Sequence, residues 1–557
     1  MYARWIFTLD PERFPLDKMR RIVSNLHAKA QKYIMMVDPA VAAQEDKGYA
    51  TFDNGVKSDV FLKENDGKLH KGVVWPGVTV FPDWYHPNAQ SWWTNEFKRF
   101  FDPSTGVDID GIWIDMNEPA SFCPYPCNDP EQEAIDQKMP PVRRPVRDPP
   151  RPIPGFPETG KIEAREVKAR DSVLDKRAST KIDLIAPPYK IANAAGGLSD
   201  KTAHTDVIHA DGNSEYDVHN LYGSAMSSAT YEAALARRPN QRPFIITRST
   251  FVGAGTQVGK WLGDNLSTWE HYVNSISGLL SFGSIFQIPL VGADICGFGG
   301  NTTSTLCARW TTLGAFYPFS RNHNGEDSIS QEPYLWDIVA SAARKTYRIR
   351  YELLDYFYTA LQKQEMTGSP ALKPLFFTFP KDTKTYGIDT QFFYGPAVLV
   401  SPVTKENATD VKVYLPTEAL WYDYQTQKRV ASGSRTLSNI DFDEIPVFVK
   451  GGEIIARRAF GKDTPQTTKL VREKDFEILV FLDKKGEATG ELFLDDGETL
   501  GAKGVTAKFS YKRGKFSYKV TGRGPLKVKV ASVTVVGKKK TGHKGSWGPG
   551  GSGSFAC

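Results

Sequence analysis

The chain has 557 residues, of which 40% are hydrophobic and 24% are charged, a balance typical of globular proteins and not of disordered ones. This length exceeds what a single hydrophobic core supports, so two to four domains are expected. The formal net charge is +6, and the basic residues are scattered apart from a run at 538–540, which argues against a nucleic-acid-binding protein.

Apolar runs that end in polar residues alternate with helical patterns from residue 16 onward. The first helix is predicted over 16–31, and the apolar run after it ends at Asp38. Further strands of this kind are predicted over 111–115, 244–248, 261–264, 288–294 and 316–319. Further helices are predicted over 219–236, 267–282, 302–313 and 331–364. This alternation indicates a parallel α/β sheet, and polar residues at the strand ends indicate a (β/α)8 barrel with its site on that rim.

The barrel pattern is interrupted once and then gives way to an all-β pattern. Residues 129–195 predict an insertion, since they contain a Pro- and Arg-rich piece without periodicity. From residue 368 onward, short strands separated by turn residues predict two β-sandwiches. The predicted domains are therefore a barrel over 1–367, sandwiches over 368–456 and 457–540, and a disordered Gly/Ser-rich tail over 541–557.

Five cysteines are present, and four of them form two local sets. Cys123 lies close to Cys127, and Cys296 lies close to Cys307, without the neighbouring ligands of a zinc site. Two short disulfide loops with an odd Cys557 are therefore predicted. Disulfides imply an oxidising compartment, so we expect a secreted, extracellular protein.

Other targeting and modification signals are few. Asn301 and Asn407 begin N-x-S/T triplets and are predicted glycosylation sites, whereas Asn265 begins a triplet that we expect to be buried. Apolar runs stay well short of the roughly 20 residues that a membrane-spanning helix needs. Residues 1–5 do not resemble a signal peptide, which conflicts with the predicted disulfides. We therefore expect the chain to be part of a longer primary product.

The strongest candidate site surrounds Asp115, which ends a predicted buried strand three residues before Glu118. Two carboxylates near a barrel rim could be an acid/base pair, metal ligands, or a nucleophile with a structural partner. An acidic residue after a strand is also commonly a cap for the following helix. The residue pattern by itself leaves these alternatives open.

The segment 113–119, Trp-Ile-Asp-Met-Asn-Glu-Pro, resembles the signature of glycoside hydrolase family 31, the α-glucosidase family. Further segments resemble the family's substrate-pocket and acid/base regions in the same order, namely 74–83, 248–251, 261–265, 292–298 and 316–323. The resemblance covers roughly residues 1–330. It implies a retaining glycosidase with the (β/α)8 fold.

The resemblance also implies catalytic roles. Asp115 would attack the anomeric carbon, Asp264 would act as general acid and then base, and Glu118 would orient its neighbours. Retaining carboxyl pairs lie about 5–5.5 Å apart, and Asp115 must be ionised while Asp264 holds a proton. Arg248 would hold Asp115 as an anion or bind a sugar hydroxyl.

Substrate-binding residues follow from the same resemblance. Asp294 and His323 would bind sugar hydroxyls, although Asp294 could be a helix cap and His323 a core histidine. The walls of the pocket would be formed by Trp75, Trp113, Met116, Phe122 and Trp261, for each of which core packing is the alternative. Neither a metal ion nor an organic cofactor is required.

In the family, two barrel strands and a β-sandwich precede the segment found here at 7–15. We therefore expect the barrel to lack its first two strands, which agrees with the count of apolar runs. An N-terminal segment or subunit would complete it, either because a precursor is cut or because the gene model is truncated. The isolated chain is expected to be unstable and nearly inactive, because two sheet edges would be open.

The expected function is exo-acting hydrolysis of terminal α-linked, mainly α-1,4-linked, glucose from maltose, malto-oligosaccharides and starch ends. The local cysteine pairs and the segment 120–123 resemble secreted fungal maltase-type enzymes more than the trimming glucosidase. Alternatives are an α-xylosidase, a glucosidase II-like trimming enzyme, and a non-catalytic carbohydrate-binding subunit.

Overall fold

The computed structural model describes residues 2–142, 183–189, 196–523, 526–537 and 544–557. The described chain forms two compact units, the first extending to Val258 and the second beginning at Gly259. Most of the predicted insertion at 129–195 lies outside the described residues, as does the basic run at 538–540. Among the described helices, none combines the length and the apolar character needed to cross a membrane.

The first unit alternates helices with short strands. Its elements are α1 (Leu16–Ala28), β1 (Ile34–Val37), β2 (Val41–Ala42), α2 (Ala50–Lys57), β3 (Lys71–Val74), β4 (Gly77–Val80), α3 (Ala89–Phe100), β5 (Gly111–Ile114), α4 (Pro130–Asp136), α5 (Glu215–Arg237) and β6 (Ile245–Thr247). Single turns of 3₁₀ helix lie at Tyr2–Arg4 and Ala254–Thr256.

Three strands of the first unit form a parallel sheet, as the alternation of strands and helices predicted. Strand β5 pairs with β1 on one side and with β6 on the other. Ile114 lies opposite both Val37 and Thr247, so the three strands end at the same level. Strands β5 and β6 are largely buried, and buried parallel strands consist largely of apolar residues. Strand β1 is equally apolar, although of its residues only Val37 is buried.

Helix α5 approaches this sheet closely at Gly223. A Cβ atom there would lie 2.7 Å from the carbonyl oxygen of Asn117, so a larger residue would displace the loop after β5. Strands β2, β4 and β3 form a separate antiparallel sheet in that order. The tight turn between β3 and β4 contains Trp75 and needs glycine at Gly77, where φ is +92°.

The barrel-like part of the second unit contains β7 (Gly259–Trp261), α6 (Trp269–Leu280), β8 (Val291–Gly292), β9 (Asp294–Ile295), α7 (Ser304–Gly314), β10 (Arg321–Asn322), α8 (Asp337–Glu352) and α9 (Leu354–Thr367). Strand β7 pairs in parallel with β8, and β9 pairs in parallel with β10. Threonine side chains cap α6 and α7, since Thr268 accepts from the backbone N–H of His271 and Thr303 from that of Leu306. A π-helical turn, Ser281–Ile285, follows α6, and a 3₁₀ turn lies at Pro333–Leu335.

Two predictions for this region are wrong. Residues 316–319 form no strand, because the backbone N–H groups of Phe316 and Tyr317 donate back to Leu313 and Gly314 and continue the turn of α7. The helix predicted over 331–364 is divided into α8 and α9, because Leu353 departs from helical geometry with φ −93° and ψ 10°. The apolar periodicity continues through the division, so the sequence pattern did not reveal it.

The remainder of the second unit is mostly β-structure. Its elements are β11 (Leu372–Pro374), α10 (Leu375–Thr378), β12 (Phe392–Tyr394), β13 (Val398–Val400), β14 (Val411–Leu415), β15 (Trp421–Asp423), β16 (Arg429–Val430), β17 (Gly433–Leu437), β18 (Val447–Lys450), β19 (Glu453–Arg458), α11 (Thr468–Arg472), β20 (Phe476–Phe481), β21 (Ala488–Leu494), β22 (Val505–Lys512), β23 (Lys515–Gly522), β24 (Val528–Val535), β25 (Gly545–Trp547) and β26 (Ser552–Ala556), with a 3₁₀ turn at Thr383–Thr385.

These strands form a six-stranded sheet, β11-β12-β13-β18-β15-β16, a two-stranded sheet, β14-β17, and an eight-stranded sheet, β25-β24-β20-β19-β21-β22-β23-β26. Because β19 already belongs to the eight-stranded sheet, the change of sheet precedes the predicted boundary after residue 456. Separate apolar cores accompany the two large sheets, one around Trp421 and one around Phe509 and Phe516.

The prediction of a disordered tail over 541–557 is wrong for its described part. Strand β25 pairs with β24, and β26 pairs with β23 at the opposite edge of the eight-stranded sheet. Trp547 is buried, and its ring stacks on that of Tyr518 at 3.9 Å. The Gly/Ser composition suggested a flexible tail, but one buried aromatic ring and backbone pairing order the segment.

A buried ionic triad stabilises the first unit. His209 Nδ1 lies 2.7 Å from Asp83 Oδ1, and His209 Nε2 lies 2.8 Å from Glu215 Oε2. All three side chains are at most 5% exposed. Burial by itself lowers the pKa of His209, but hydrogen bonds to Asp83 and Glu215 outweigh it and raise the pKa to about 9.

This triad predicts a loss of stability in alkaline solution. The folded pKa of His209 exceeds its unfolded value of about 6.5, so the contribution is complete below about pH 6.5 and is lost as the pH rises through about 9. We expect a loss of at most roughly 3 kcal/mol in the free energy of unfolding. Urea unfolding of the wild type and of His209→Gln between about pH 6 and pH 9.5 tests this. His209→Gln should be less stable than the wild type at pH 6, and its free energy of unfolding should not decline as the pH rises. An equal decline in both proteins would contradict the role of His209.

Candidate active site

Asp115 and Arg248 meet at the carboxyl ends of neighbouring parallel strands. Asp115 directly follows β5 and Arg248 directly follows β6, which end at the same level. Arg248 Nη1 lies 3.2 Å from Asp115 Oδ1, and the backbone N–H of Met116 donates to the same oxygen at 2.7 Å. A cation and an N–H group at one carboxyl oxygen both favour the carboxylate form. Asp115 thus has the surroundings that a nucleophilic carboxylate needs.

Glu118 holds Arg248 in place. Arg248 Nε lies 2.9 Å from Glu118 Oε1, and Arg248 Nη2 lies 3.2 Å from Glu118 Oε2. This fork geometry fixes the plane of the guanidinium group. Arg248 Nη2 also lies 3.1 Å from Met116 Sδ. Glu118 therefore orients Arg248, which in turn contacts Asp115.

Asn117 anchors the loop that carries these groups. Its buried side chain donates to Thr247 Oγ1 at 2.9 Å and to the Gly223 carbonyl at 3.3 Å, and it accepts from the backbone N–H of Ser249 at 3.2 Å. The preceding residue, Met116, has φ +58°, a region unfavourable for residues with a side chain. We did not assign Asn117 from the sequence, because its partners follow from the packing of β6 and α5.

Asp38 is a third acidic residue at this sheet edge and was not among the assigned site residues. It directly follows β1, its side chain is buried, and Oδ1 has no hydrogen-bond partner in the described structure. Burial and, next, the negative charge of Asp115 raise the pKa of Asp38 well above its usual value, against the opposing charge of Arg248. This shift favours the protonated carboxylic acid, the form that can donate a hydrogen bond.

The residues of the first unit that were predicted to line the pocket differ in how far they are exposed. Trp75 is 37% exposed, and its ring meets that of Phe122 edge-on at 4.9 Å. The disulfide between Cys123 and Cys127 follows Phe122, as predicted, and tethers this segment. Trp113 is half-buried within β5, whereas Met116 lies in a core cluster with Phe81 and Tyr222 and is only 7% exposed.

In the second unit, Asp264 lies on a loop that turns sharply after β7. Gly263 makes this turn with φ +87°, and the side chain of Asp264 is exposed. Asn265 fixes the loop, since its amide donates to the Asp294 carbonyl at 2.9 Å and accepts from the N–H of Phe298 at 3.0 Å. The burial of Asn265 agrees with the expectation that its N-x-S triplet is inaccessible.

Asp294 forms an ion pair instead of capping a helix. Its side chain is buried, and Arg321 Nε and Nη2 lie 2.8 Å and 2.6 Å from Asp294 Oδ1. The guanidinium group also lies over the ring of Trp261 at 4.9 Å. Trp261 is fully buried. Arg321 lies in the segment 316–323, which resembles the family, but no pattern in the sequence predicted a role for it.

His323 is half-buried beside this ion pair, which does not fit a core histidine. Its ring lies 5.3 Å from that of Phe298. Burial, with the charge of Arg321, lowers the pKa of His323 to about 4. The imidazole is therefore neutral at pH 7 and has one hydrogen-bond donor and one acceptor. The second predicted disulfide, Cys296–Cys307, lies close by in sequence, and Cys557 is a free thiol, as expected.

We expect Arg321→Met to lower the free energy of unfolding by roughly 3 kcal/mol, because it removes the cation paired with the buried carboxylate of Asp294. Arg321→Lys retains the charge and should cost less, although it cannot donate in a fork. Chemical denaturation of both variants is the measurement. Equal stability of Arg321→Met and the wild type would contradict the importance of this pair.

Comparison with known protein families divides the chain near residue 360, later in the sequence than the division between the two compact units. Residues 1–360 match the description "Glycosyl hydrolases family 31 TIM-barrel domain", and residues 368–455 match "Glycosyl hydrolase family 31 C-terminal domain". The chain is 50% identical over 549 residues to "Probable alpha/beta-glucosidase agdC" of Aspergillus fumigatus, which covers 98% of this chain and 61% of that protein. It is 40% identical to a "Probable alpha-glucosidase" of Oryza sativa subsp. japonica over 90% of this chain and 50% of that protein. The chain thus spans about three fifths of its fungal relative.

Solved structures share the fold. The glucosidase II alpha subunit in its alpha3-Glc2-bound form has a TM-score of 0.76 and 27% identity, covering 96% of this chain and 51% of that one. The GH31 alpha-xylosidase Xac1773 from Xanthomonas citri has a TM-score of 0.71 at 20% identity, covering 99% of this chain and 54% of that one.

Proposed function

This chain belongs to glycosyl hydrolase family 31, as its motifs predicted, and on that premise we propose that it carries the catalytic residues of a retaining, exo-acting α-glucosidase. The observation that carries the proposal is the Arg248 fork, which contacts Asp115 and Glu118 at the carboxyl ends of β5 and β6. The similarity to a fungal α/β-glucosidase and to the glucosidase II alpha subunit supports the same activity.

In the proposed mechanism, Asp115 attacks the anomeric carbon as Asp264 donates its proton to the departing glycosidic oxygen. The bond from C1 to that oxygen breaks, and an ester between C1 and Asp115 forms. Asp264, now a carboxylate, removes a proton from water, which attacks C1 and releases both glucose and Asp115. The exposed position of Asp264 suits exchange of its proton with solvent.

A neutral sugar suits groups that occur in each unit. Burial and the charge of Asp115 raise the pKa of Asp38, and burial lowers the pKa of His323 to about 4, so both shifts favour uncharged groups that can hydrogen-bond to a hydroxyl. The exposed face of Trp75 beside Phe122 offers an aromatic surface for the apolar face of a sugar ring. We propose terminal α-1,4-linked glucose of maltose, malto-oligosaccharides and starch ends as the substrate.

Product stereochemistry tests the retaining proposal. Proton NMR of the first glucose released from an aryl α-glucoside should show the α-anomer before mutarotation. Release of the β-anomer would contradict retention. Comparison with aryl β-glucosides, aryl α-xylosides and an α-1,3-linked glucose disaccharide distinguishes the α-xylosidase and trimming-glucosidase alternatives. Absence of turnover on every substrate, with the N-terminal segment or subunit present, would favour a carbohydrate-binding subunit.

We also propose that activity requires an N-terminal segment or subunit that completes a barrel lacking two strands, and that the protein is secreted and glycosylated. This chain spans 61% of the fungal relative, which supports the proposal of a further segment or subunit. The exposed side chains of Asn301 and Asn407 support glycosylation, and the two disulfides support secretion. The tests are the subunit composition of the active protein and the mass lost on enzymatic deglycosylation, which Asn301→Gln and Asn407→Gln should reduce.

A further inference from the structure

Three side chains of metal-ligand type meet in the first unit, and neither the fold nor the proposed reaction accounts for them. Glu64 lies in the loop before β3, His70 lies immediately before β3, and His204 lies before α5. One potential ligand atom from each side chain lies within 4.8 Å of the others. His70 Nδ1 is 2.5 Å from Glu64 Oε1, and the two imidazole rings are 4.7 Å apart.

The two histidines are held firmly. His70 is 1% exposed and His204 is 6% exposed. The ring of His70 lies against Phe81 at 5.8 Å, and the ring of His204 lies edge-on to Tyr125 at 5.0 Å. Tyr125 lies inside the disulfide loop of Cys123 and Cys127. Rings positioned in this way would bind an ion with little loss of side-chain freedom.

The surroundings of the cluster carry a second carboxyl group. Asp206 lies two residues after His204, close enough for the charges of Glu64 and His70 to act on its carboxyl group, but outside the group of three ligand atoms that lie within 4.8 Å of one another. A buried oxygen of Asp206, Oδ1, has no hydrogen-bond partner in the described part of the chain. A buried carboxyl oxygen without a donor is costly unless a cation or a proton satisfies it.

We propose that Glu64, His70 and His204 bind one divalent transition-metal ion of the Zn²⁺ type. Two imidazoles and one carboxylate are ligands that Zn²⁺ accepts, with the fourth position left to water. The contact between His70 and Glu64 has hydrogen-bond length, so Glu64 must withdraw slightly for both atoms to reach about 2.0–2.2 Å from the ion. Glu64 has a partly exposed side chain, 37%, in a turn closed by Gly67 with φ +85°, which makes this movement inexpensive.

Such an ion would be structural. It would join the loop before β3, which leads to Trp75, to the loop that carries His204. Because imidazole and carboxyl groups bind metal ions in their deprotonated forms, affinity for the ion should fall in acid. Zn²⁺ at this position would therefore raise stability without taking part in the cleavage of a glycosidic bond.

The test uses chelator-treated protein with Cys557→Ser as background, so that the free thiol adds no ligand. Calorimetric titration with ZnCl₂ should show one site per chain, with a rise in the unfolding temperature. Co²⁺ should give the visible absorption bands of a four-coordinate nitrogen and oxygen site. His204→Gln and Glu64→Gln should each weaken binding by about 100-fold, whereas His86→Gln, a histidine outside the cluster, should not.

Glu64→Gln keeps the proposal testable if His204→Gln fails to fold, because Glu64 is partly exposed. Wild-type protein that binds no Zn²⁺ above the level of Glu64→Gln would overturn the proposal and leave His70 and Glu64 as a simple hydrogen-bonded pair. Equal binding by the wild type and both cluster variants would also overturn it, by placing the metal elsewhere.

Discussion

Replacement of Asp115 by glycine is expected to lower kcat for aryl α-glucosides at least about 10⁴-fold, because it removes the atom that forms the covalent intermediate. External azide should restore part of this rate by attacking the anomeric carbon directly. The product should be the β-glucosyl azide, since a single displacement inverts an α-linked substrate. Steady-state kinetics and NMR of the azide adduct are the measurements.

Asp115→Asn removes the nucleophile but keeps the hydrogen bonds that the side chain accepts, so it tests the chemical role of Asp115 apart from its structural role. The amide oxygen can still accept from Arg248 and from the N–H of Met116, so the fold should persist with little change in unfolding temperature. The amide is a poor nucleophile, and we expect loss of activity comparable with that of Asp115→Gly. Substantial residual activity in Asp115→Asn, after deamidation is excluded by mass spectrometry, would remove the nucleophile assignment.

Replacement of Asp264 by alanine should produce a loss that depends on the leaving group. Cleavage of maltose needs a proton on the departing oxygen, so we expect kcat/KM to fall about 10²–10⁴-fold. For α-glucosyl fluoride, which leaves without that proton, the first step should be far less affected. Azide should accelerate release of the intermediate and give the α-glucosyl azide, the opposite anomer from that of Asp115→Gly.

Asp264→Ala should not destabilise the fold, because the side chain is exposed and its removal leaves no cavity. A loss of activity in this variant would therefore report on the chemical step. Glu270→Ala changes another exposed carboxylate in the second unit and is the matched control, with activity expected to stay near the wild-type level. An equal loss for maltose and for the fluoride would contradict the acid/base role.

Local patterns in the sequence were sufficient to find the strand ends that carry the site. Strands β1, β5 and β6 are short apolar runs, of which β5 and β6 are largely buried. The polar residues after them, including Asp115 and Arg248, lie at one sheet edge. The sequence could not show that the charge of Asp115 acts on Asp38 or that the pKa of the Asp38 carboxyl group is raised. Both properties come from burial and from contacts between residues distant in the chain.

The errors have the same physical origin. The run at 316–319 is as apolar as a strand, but hydrogen bonds to α7 hold it in a turn. The Gly/Ser-rich tail lacks strand propensity, yet Trp547 packs into the core of the eight-stranded sheet. Tertiary packing decided both, and propensity is only a weak guide where packing competes. The Zn²⁺-type cluster was likewise invisible, because His70 and His204 are brought together only by folding.

The nucleophilic role of Asp115 is tested most directly by trapping the covalent intermediate. A 5-fluoro glucosyl fluoride forms the ester but slows its hydrolysis, so that peptide mass spectrometry of the active protein can locate the sugar. We predict a single fluoroglucosyl adduct on the peptide that contains Asp115, absent from Asp115→Asn. An adduct on any other residue, or turnover of this reagent through an inverted product without an adduct, would contradict the assignment.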